Sequence, residues 1–201
     1  MDAGRIKDLL LGTGREGMSD LVKYMEEYGF FTAPCSTSYH LAKEGGLAEH
    51  SLNVFTVAEE LYHLWYLQAV IPEESVTISA LLHDIGKMGQ FGKANYVPNM
   101  LRGRATKANP NPELYQSDKK PYIGNPELLY VDHECRALSI ISKYIDLTEE
   151  EQQAILWHNG LYGSFRYQIQ GKETPLYLLI HSADMWASRV IEAETTDFEE
   201  E

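Results

Sequence analysis

Six side chains spread along the chain are of the types that hold divalent metal ions: His50, His83, Asp84, His133, His158 and Asp184. Imidazole and carboxylate together suit borderline first-row ions such as Mn, Fe, Co, Ni and Zn. Taken singly, most have an ordinary explanation. His50 lies on an apolar stripe, where a hydrogen-bonded core histidine is the simpler reading. His158 falls in the last turn of a helix, where it would favour the helix dipole. Asp184 is harder to dismiss. It sits inside the apolar run Leu178 to Trp186, and a carboxylate facing inward there needs a cation or several donors. Adjacent His83 and Asp84 differ by about 100° around a helix, so both can reach an ion near one edge of it. The two oxygens of Asp84 could bridge two ions.

The elements that must position these residues are helical. Apolar residues recur at steps of three and four almost everywhere, which predicts an all-α fold. A first amphipathic helix is expected from about Glu16 to Tyr28, followed by a Ser-, Thr-, Pro- and Gly-rich loop from Ala33 to Gly46. A long helix then carries Leu47, His50, Val54, Val57, Leu61 and Leu64 on one stripe, to about Gln68. Pro72 and Glu73 open a shorter helix to about Lys87, ended by Gly86 and Gly89. Residues Met88 to Tyr130 hold five of the eight prolines and read as a long irregular excursion, with a short hairpin near Tyr122 to Tyr130. Three helices close the chain. They run from His133 to Ile145, from a Thr148–Glu151 capping box to His158, and from Thr174 with Pro175 in its first turn.

The 201 residues suit one domain, expected over 1–191, with residues 1–32 forming an N-terminal helix packed on it. Residues 192–201 carry six acids and no base and read as a frayed, disordered tail. A net charge of −13 argues against broad adhesion to duplex nucleic acid or anionic lipid. Against that background, seven bases and two acids lie between Lys87 and Lys120. That is either a solvated loop or a collar for an anionic ligand. Cys35 and Cys135 fit no metal-binding spacing and read as free thiols. With no leader pattern and no apolar run long enough to span a bilayer, a cytoplasmic protein is expected, with oligomerisation open.

The local words resemble the HD superfamily of metal-dependent phosphohydrolases. "GGLAEHSLNV" at 45–54 is similar to its first-ligand helix and "LLHDIGK" at 81–87 to its central motif. "DHECRALSI", "AILWHNG" and "HSADMWASR" are similar to its later ligand helices, so the resemblance covers about 33–191. It implies an HD-domain helical bundle, the excursion lying between the HD helix and the third ligand helix. One ion would take His50, His83, Asp84 and Asp184. A second would take His133 and His158 with Asp84 shared, as in the binuclear branch. Asp84 and Lys87 would be catalytic. Lys87 and His40, with Arg102, Arg104 and Lys107 of the basic excursion, would hold a small phosphate-containing anion: a nucleotide, cyclic nucleotide or short oligonucleotide. His181 would support the ligands from behind, and His63 has no expected role. Asn159-Gly160-Leu161-Tyr162-Gly163 after His158 departs from the cyclic-dinucleotide branch. Two alternatives remain at this point: a di-iron oxygenase similar to inositol oxygenase, and a non-catalytic metal-binding regulator.

Overall fold

The computed structural model describes residues 2–107, 109–163 and 167–193. Its framework is helical, and each segment carrying a candidate ligand ends or begins where its sequence dictates. Helix α3 (Gly46–Leu64) starts after Gly45, whose φ of 75° suits glycine. It buries Leu47, His50, Val54, Phe55, Val57 and Ala58. Helix α4 (Glu73–Leu82) follows Pro72, carries two acids in its first turn, and is buried along almost its whole length. Helix α5 (His133–Ile141) begins at a candidate ligand. Helix α6 (Glu149–Trp157) has the expected capping box between Thr148 and Glu151. Helix α7 (Pro175–Trp186) has Thr174 accepting from the Tyr177 amide, with Pro175 in its first turn.

Helix α3 packs on α4 and α7, α7 on α6, and α6 on α5. The shared core includes Leu47, Val54, Ile78, Leu81, Leu82, Ile140, Ile155 and Ile180. Burial of such side chains is the main stabilising term, at about 1.5–3 kcal/mol each. Two helices stand where one was expected at the N-terminus: α1 (Asp2–Gly12) and α2 (Met18–Glu27). Leu10, from the run Leu9-Leu10-Leu11, and Ile6 join the core, so α1 docks on α2, α3 and α4. Between them Arg15 reaches Glu151 on α6 with both guanidinium ends, at 2.8 and 3.0 Å. Ser75 on α4 donates to the same carboxylate at 2.7 Å.

The excursion is more ordered than its proline content predicts. Three two-stranded antiparallel ladders occupy it. Strand β1 (Gly89–Gln90) pairs with β2 (Lys93–Ala94), β3 (Tyr96–Pro98) with β6 (Tyr122–Gly124), and β4 (Met100–Arg102) with β5 (Leu114–Gln116). Tyr122 to Gly124 therefore pair back with Tyr96 to Pro98 rather than turning locally toward Tyr130. The prolines fit because ladders of two or three residues leave most backbone donors unpaired by strand bonds. Among the described residues no helix is long and apolar enough to cross a membrane, and both cysteines are free. Of the expected tail, Glu192 and Ala193 are described, while 194–201 lie outside the described residues.

Candidate metal centre

The HD dipeptide does not sit within a helix. Helix α4 stops at Leu82. His83 keeps right-handed helical angles, but Asp84 swings to φ −103°, ψ 7° before a 3₁₀ turn at Ile85–Met88. This break turns both side chains toward one point. Gly86 lets α5 approach them: a Cβ there would sit 2.0 Å from the His133 carbonyl oxygen. The glycine read as a helix stop is thus also the contact that places His133 beside Asp84.

Five elements bring the six expected residues together. His50 Nε2 lies 3.2 Å from Asp184 Oδ1, 3.4 Å from Asp84 Oδ2 and 3.3 Å from His83 Nε2. His83 Nε2 is 3.5 Å from Asp84 Oδ2. His133 and His158 point their Nε2 atoms at the other oxygen, Asp84 Oδ1, at 3.2 and 3.4 Å. The two oxygens of Asp84 thus face two different histidine sets. His50, His83, Asp84 and His158 are buried, while the side chains of Asp184 and His133 stand nearer the surface, His133 with 27% of its side chain exposed.

Hydrogen bonding fixes which nitrogen is free. His83 Nδ1 donates to the Ala80 carbonyl and His158 Nδ1 to the Ile155 carbonyl, both at 2.8 Å. A carbonyl only accepts, so each Nδ1 carries the proton and, in the neutral ring, each Nε2 presents a lone pair. On His133, the Asn159 amide donates toward Nε2 at 3.3 Å. These lone pairs face carboxylate oxygens. Asp84 Oδ1 is buried and makes no hydrogen bond among the described residues despite its short distances. Acceptor set against acceptor is unfavourable unless a cation lies between them. The groups His50–His83–Asp184 and His83–Asp84–His158 each have ligand atoms close enough to share an ion, so the cluster could hold metal.

Electrostatics keep the buried carboxylates ionised. Burial opposes the charge on Asp84, yet Lys87, His83, His133 and His158 hold its carboxyl well below the usual range. Burial likewise opposes charge on Asp184, which His50 overcomes. Against burial, Cys35, Asp184 and Glu192 raise His50 well above an ordinary imidazole.

The expected substrate residues divide. Lys87 Nζ is 2.5 Å from Asp84 Oδ2 and 3.9 Å from Cys35 Sγ, so it lines the cavity while paired with the centre. His40 lines the same cavity, of about 770 Å³, which opens over His158 and Asp184. Arg102, Arg104 and Lys107 do not line it. They are exposed on β4 and the segment beyond, and the collar expected from their charge is not formed there. The reason is the β3–β6 and β4–β5 pairing, which holds these bases out along the excursion. The guanidinium on the cavity wall belongs instead to Arg189, stacked 5.2 Å over the Tyr162 ring. His181 donates to the His158 carbonyl at 2.6 Å and supports the backbone there, while His63 bonds Gln68 at the exposed end of α3.

Two residues escaped the sequence reading. Asn159 bridges His133 and His158 and donates to Glu134 at 2.6 Å. Glu192, taken for the first residue of the tail, is buried against His50, His40 and Asn53. Burial would raise its carboxyl, but those three partners hold it down at about 2. A π-turn at Ala187–Ile191, closed by Glu192 N to Ala187 O, delivers it. At about 100° per residue, an uninterrupted helix would set Glu192 roughly 80° away from Asp184. The wider turn winds less per residue and brings both acids to the His50 side. No pattern in the sequence marks a π-turn. No family model, curated protein or solved structure matches the chain, so the chemistry of this centre rests on its own geometry.

Proposed function

We propose that the cluster is the metal centre of a phosphohydrolase of the HD superfamily. His50, His83, Asp84 and Asp184 would hold one divalent first-row ion, and His133, His158 and the second oxygen of Asp84 another. The substrate would be a nucleotide, cyclic nucleotide or short oligonucleotide. One observation carries the reading: the Nε2 atoms of four histidines converge on both oxygens of a buried carboxylate, at the floor of an open cavity. Bound ions would supply a water acidified toward neutral pH and positive charge for phosphoryl oxygens.

The chain's own groups supply the rest. Lys87, held by Asp84, presents an ammonium to the cavity, and Arg189 places a second cation on the wall. Fixed cations facing a phosphate stabilise charge as it develops without reorganising. Tyr39, Tyr96 and Tyr162 line the same space and offer flat faces for a base. This wall, rather than the basic excursion, now favours an anionic ester over a neutral polyol.

The test is metal analysis of protein purified without chelator, with phosphate release measured on a panel of nucleotides and a generic phosphodiester. Bound divalent metal, manganese-supported phosphate release, and loss of both in Asp84→Ala are expected. Absence of bound metal, or oxygen uptake on a polyol or phosphonate in place of phosphate release, overturns the proposal.

A further inference from the structure

We infer that Glu192 is a positioning residue that sets His50 as an Nε2 ligand and ties that ligand to the cavity wall. The inference rests on the metal-centre reading above. The Glu192 carboxylate takes three donors: His50 Nδ1 at 3.0 Å to each oxygen, His40 Nδ1 at 2.6 Å and Asn53 Nδ2 at 2.9 Å. Its side chain is 1% exposed. A buried carboxylate so engaged is not a spare surface acid.

Position on the imidazole decides its role. Nδ1 and Nε2 lie on opposite flanks of the ring. Asp184 and Asp84 face the Nε2 flank, at 3.2 and 3.4 Å, and Glu192 faces the other. Glu192 therefore cannot share the ion that His50 Nε2 would bind. It keeps the proton on Nδ1, fixes the ring plane and makes Nε2 more basic. His83 and His158 have their Nδ1 protons held by backbone carbonyls one turn back in the chain. His50 alone of these three depends on a side chain from another element.

The same carboxylate also holds His40, from the loop that forms one cavity wall, and Asn53, one turn along α3 from His50. Loop, ligand helix and the end of α7 meet at one anion. Losing it disturbs the ligand and the wall together.

The experiment compares the full-length wild type with Glu192→Gln, Glu192→Ala and Asn53→Ala. Ring-nitrogen NMR of the metal-free proteins reads the His50 tautomer, and chelator competition reads the dissociation constant for zinc or manganese. Glu192→Ala is expected to mix the His50 tautomers and weaken metal binding by 10- to 100-fold, roughly the range for lost carboxylate support. Glu192→Gln, similar in shape but offering one acceptor and a misplaced NH₂, should lose about tenfold. Asn53→Ala should keep the tautomer and lose less than about threefold. Metal affinity within twofold of wild type in both Glu192 variants overturns the inference and leaves the metal centre standing. If the wild type itself takes up no ion, the metal-centre reading fails, and the tautomer measurement decides alone whether Glu192 orients His50.

Discussion

The Nε2 atoms of His50 and His83 stand 3.3 Å apart, and the Nδ1 of each already donates elsewhere, to Glu192 and to the Ala80 carbonyl. Two rings so committed meet best across a shared cation. Divalent metal should therefore stabilise the fold. At about a hundred times the dissociation constant the gain is roughly 2.7 kcal/mol, or a rise in Tm of about 5–10 °C for a chain of this size. Thermal melts with and without manganese or zinc check this, and Asp84→Asn should lose most of the response.

Gly86→Ala should disable the second half of the centre. The added Cβ meets the His133 carbonyl at 2.0 Å and the Ala137 amide at 2.9 Å, both backbone atoms that cannot rotate away. Helix α5 must shift, at a cost of about 1–3 kcal/mol. The expected outcome is a folded protein with a lower Tm that binds one equivalent of metal less than wild type. Metal stoichiometry and a melt decide it.

Cavity cations and excursion cations should separate kinetically. Arg189→Ala removes the guanidinium on the wall and should raise KM for a phosphate ester about tenfold, roughly 1.4 kcal/mol, with metal content unchanged. The triple change of Arg102, Arg104 and Lys107 to Ala should leave kcat/KM within about twofold at physiological salt. Steady-state kinetics on one substrate compares both.

Stability should respond to acid through Glu151, away from the candidate metal centre. Burial opposes its charge, but Arg15, the Thr148 amide and Ser75 depress its carboxyl below the ordinary range. A depressed carboxylate stabilises the fold above its unfolded pKa of about 4.3, and the contribution fades as pH falls through the lower folded value. Glu151→Gln should cost about 2 kcal/mol near neutrality by leaving buried partners unsatisfied. Its deficit against wild type should shrink below about pH 4. Denaturant melts of both proteins across pH 3 to 7 measure the difference.

Much of the centre was legible because its residues repeat the grammar of helices. His50 sits on a stripe of steps of three and four, Thr148 and Glu151 announce α6, and Asp184 stands out in an apolar run. What escaped depended on contacts made far away in sequence. Helix α1 carries Ile6, Leu9 and Leu10 at helical spacing but only on a short stripe, and its place is set by docking on α3 and α4. The bases of the excursion have a readable charge, but the strand pairing that points them outward joins residues about 12 to 28 apart. Asn159 and Glu192 belong to no spacing at all; one closes a gap between two helices, the other arrives through a backbone defect.

That defect makes the last turns of α7 sensitive to length rather than to composition. Substituting the side chains of Val190 or Ile191, both exposed, changes nothing that reaches the ligands. Excising either residue would restore a regular winding with the acid seven residues from Asp184, still on the His50 side, whereas inserting one would turn it about 100° further and off its three donors, mimicking loss of Glu192 in a chain that still contains it.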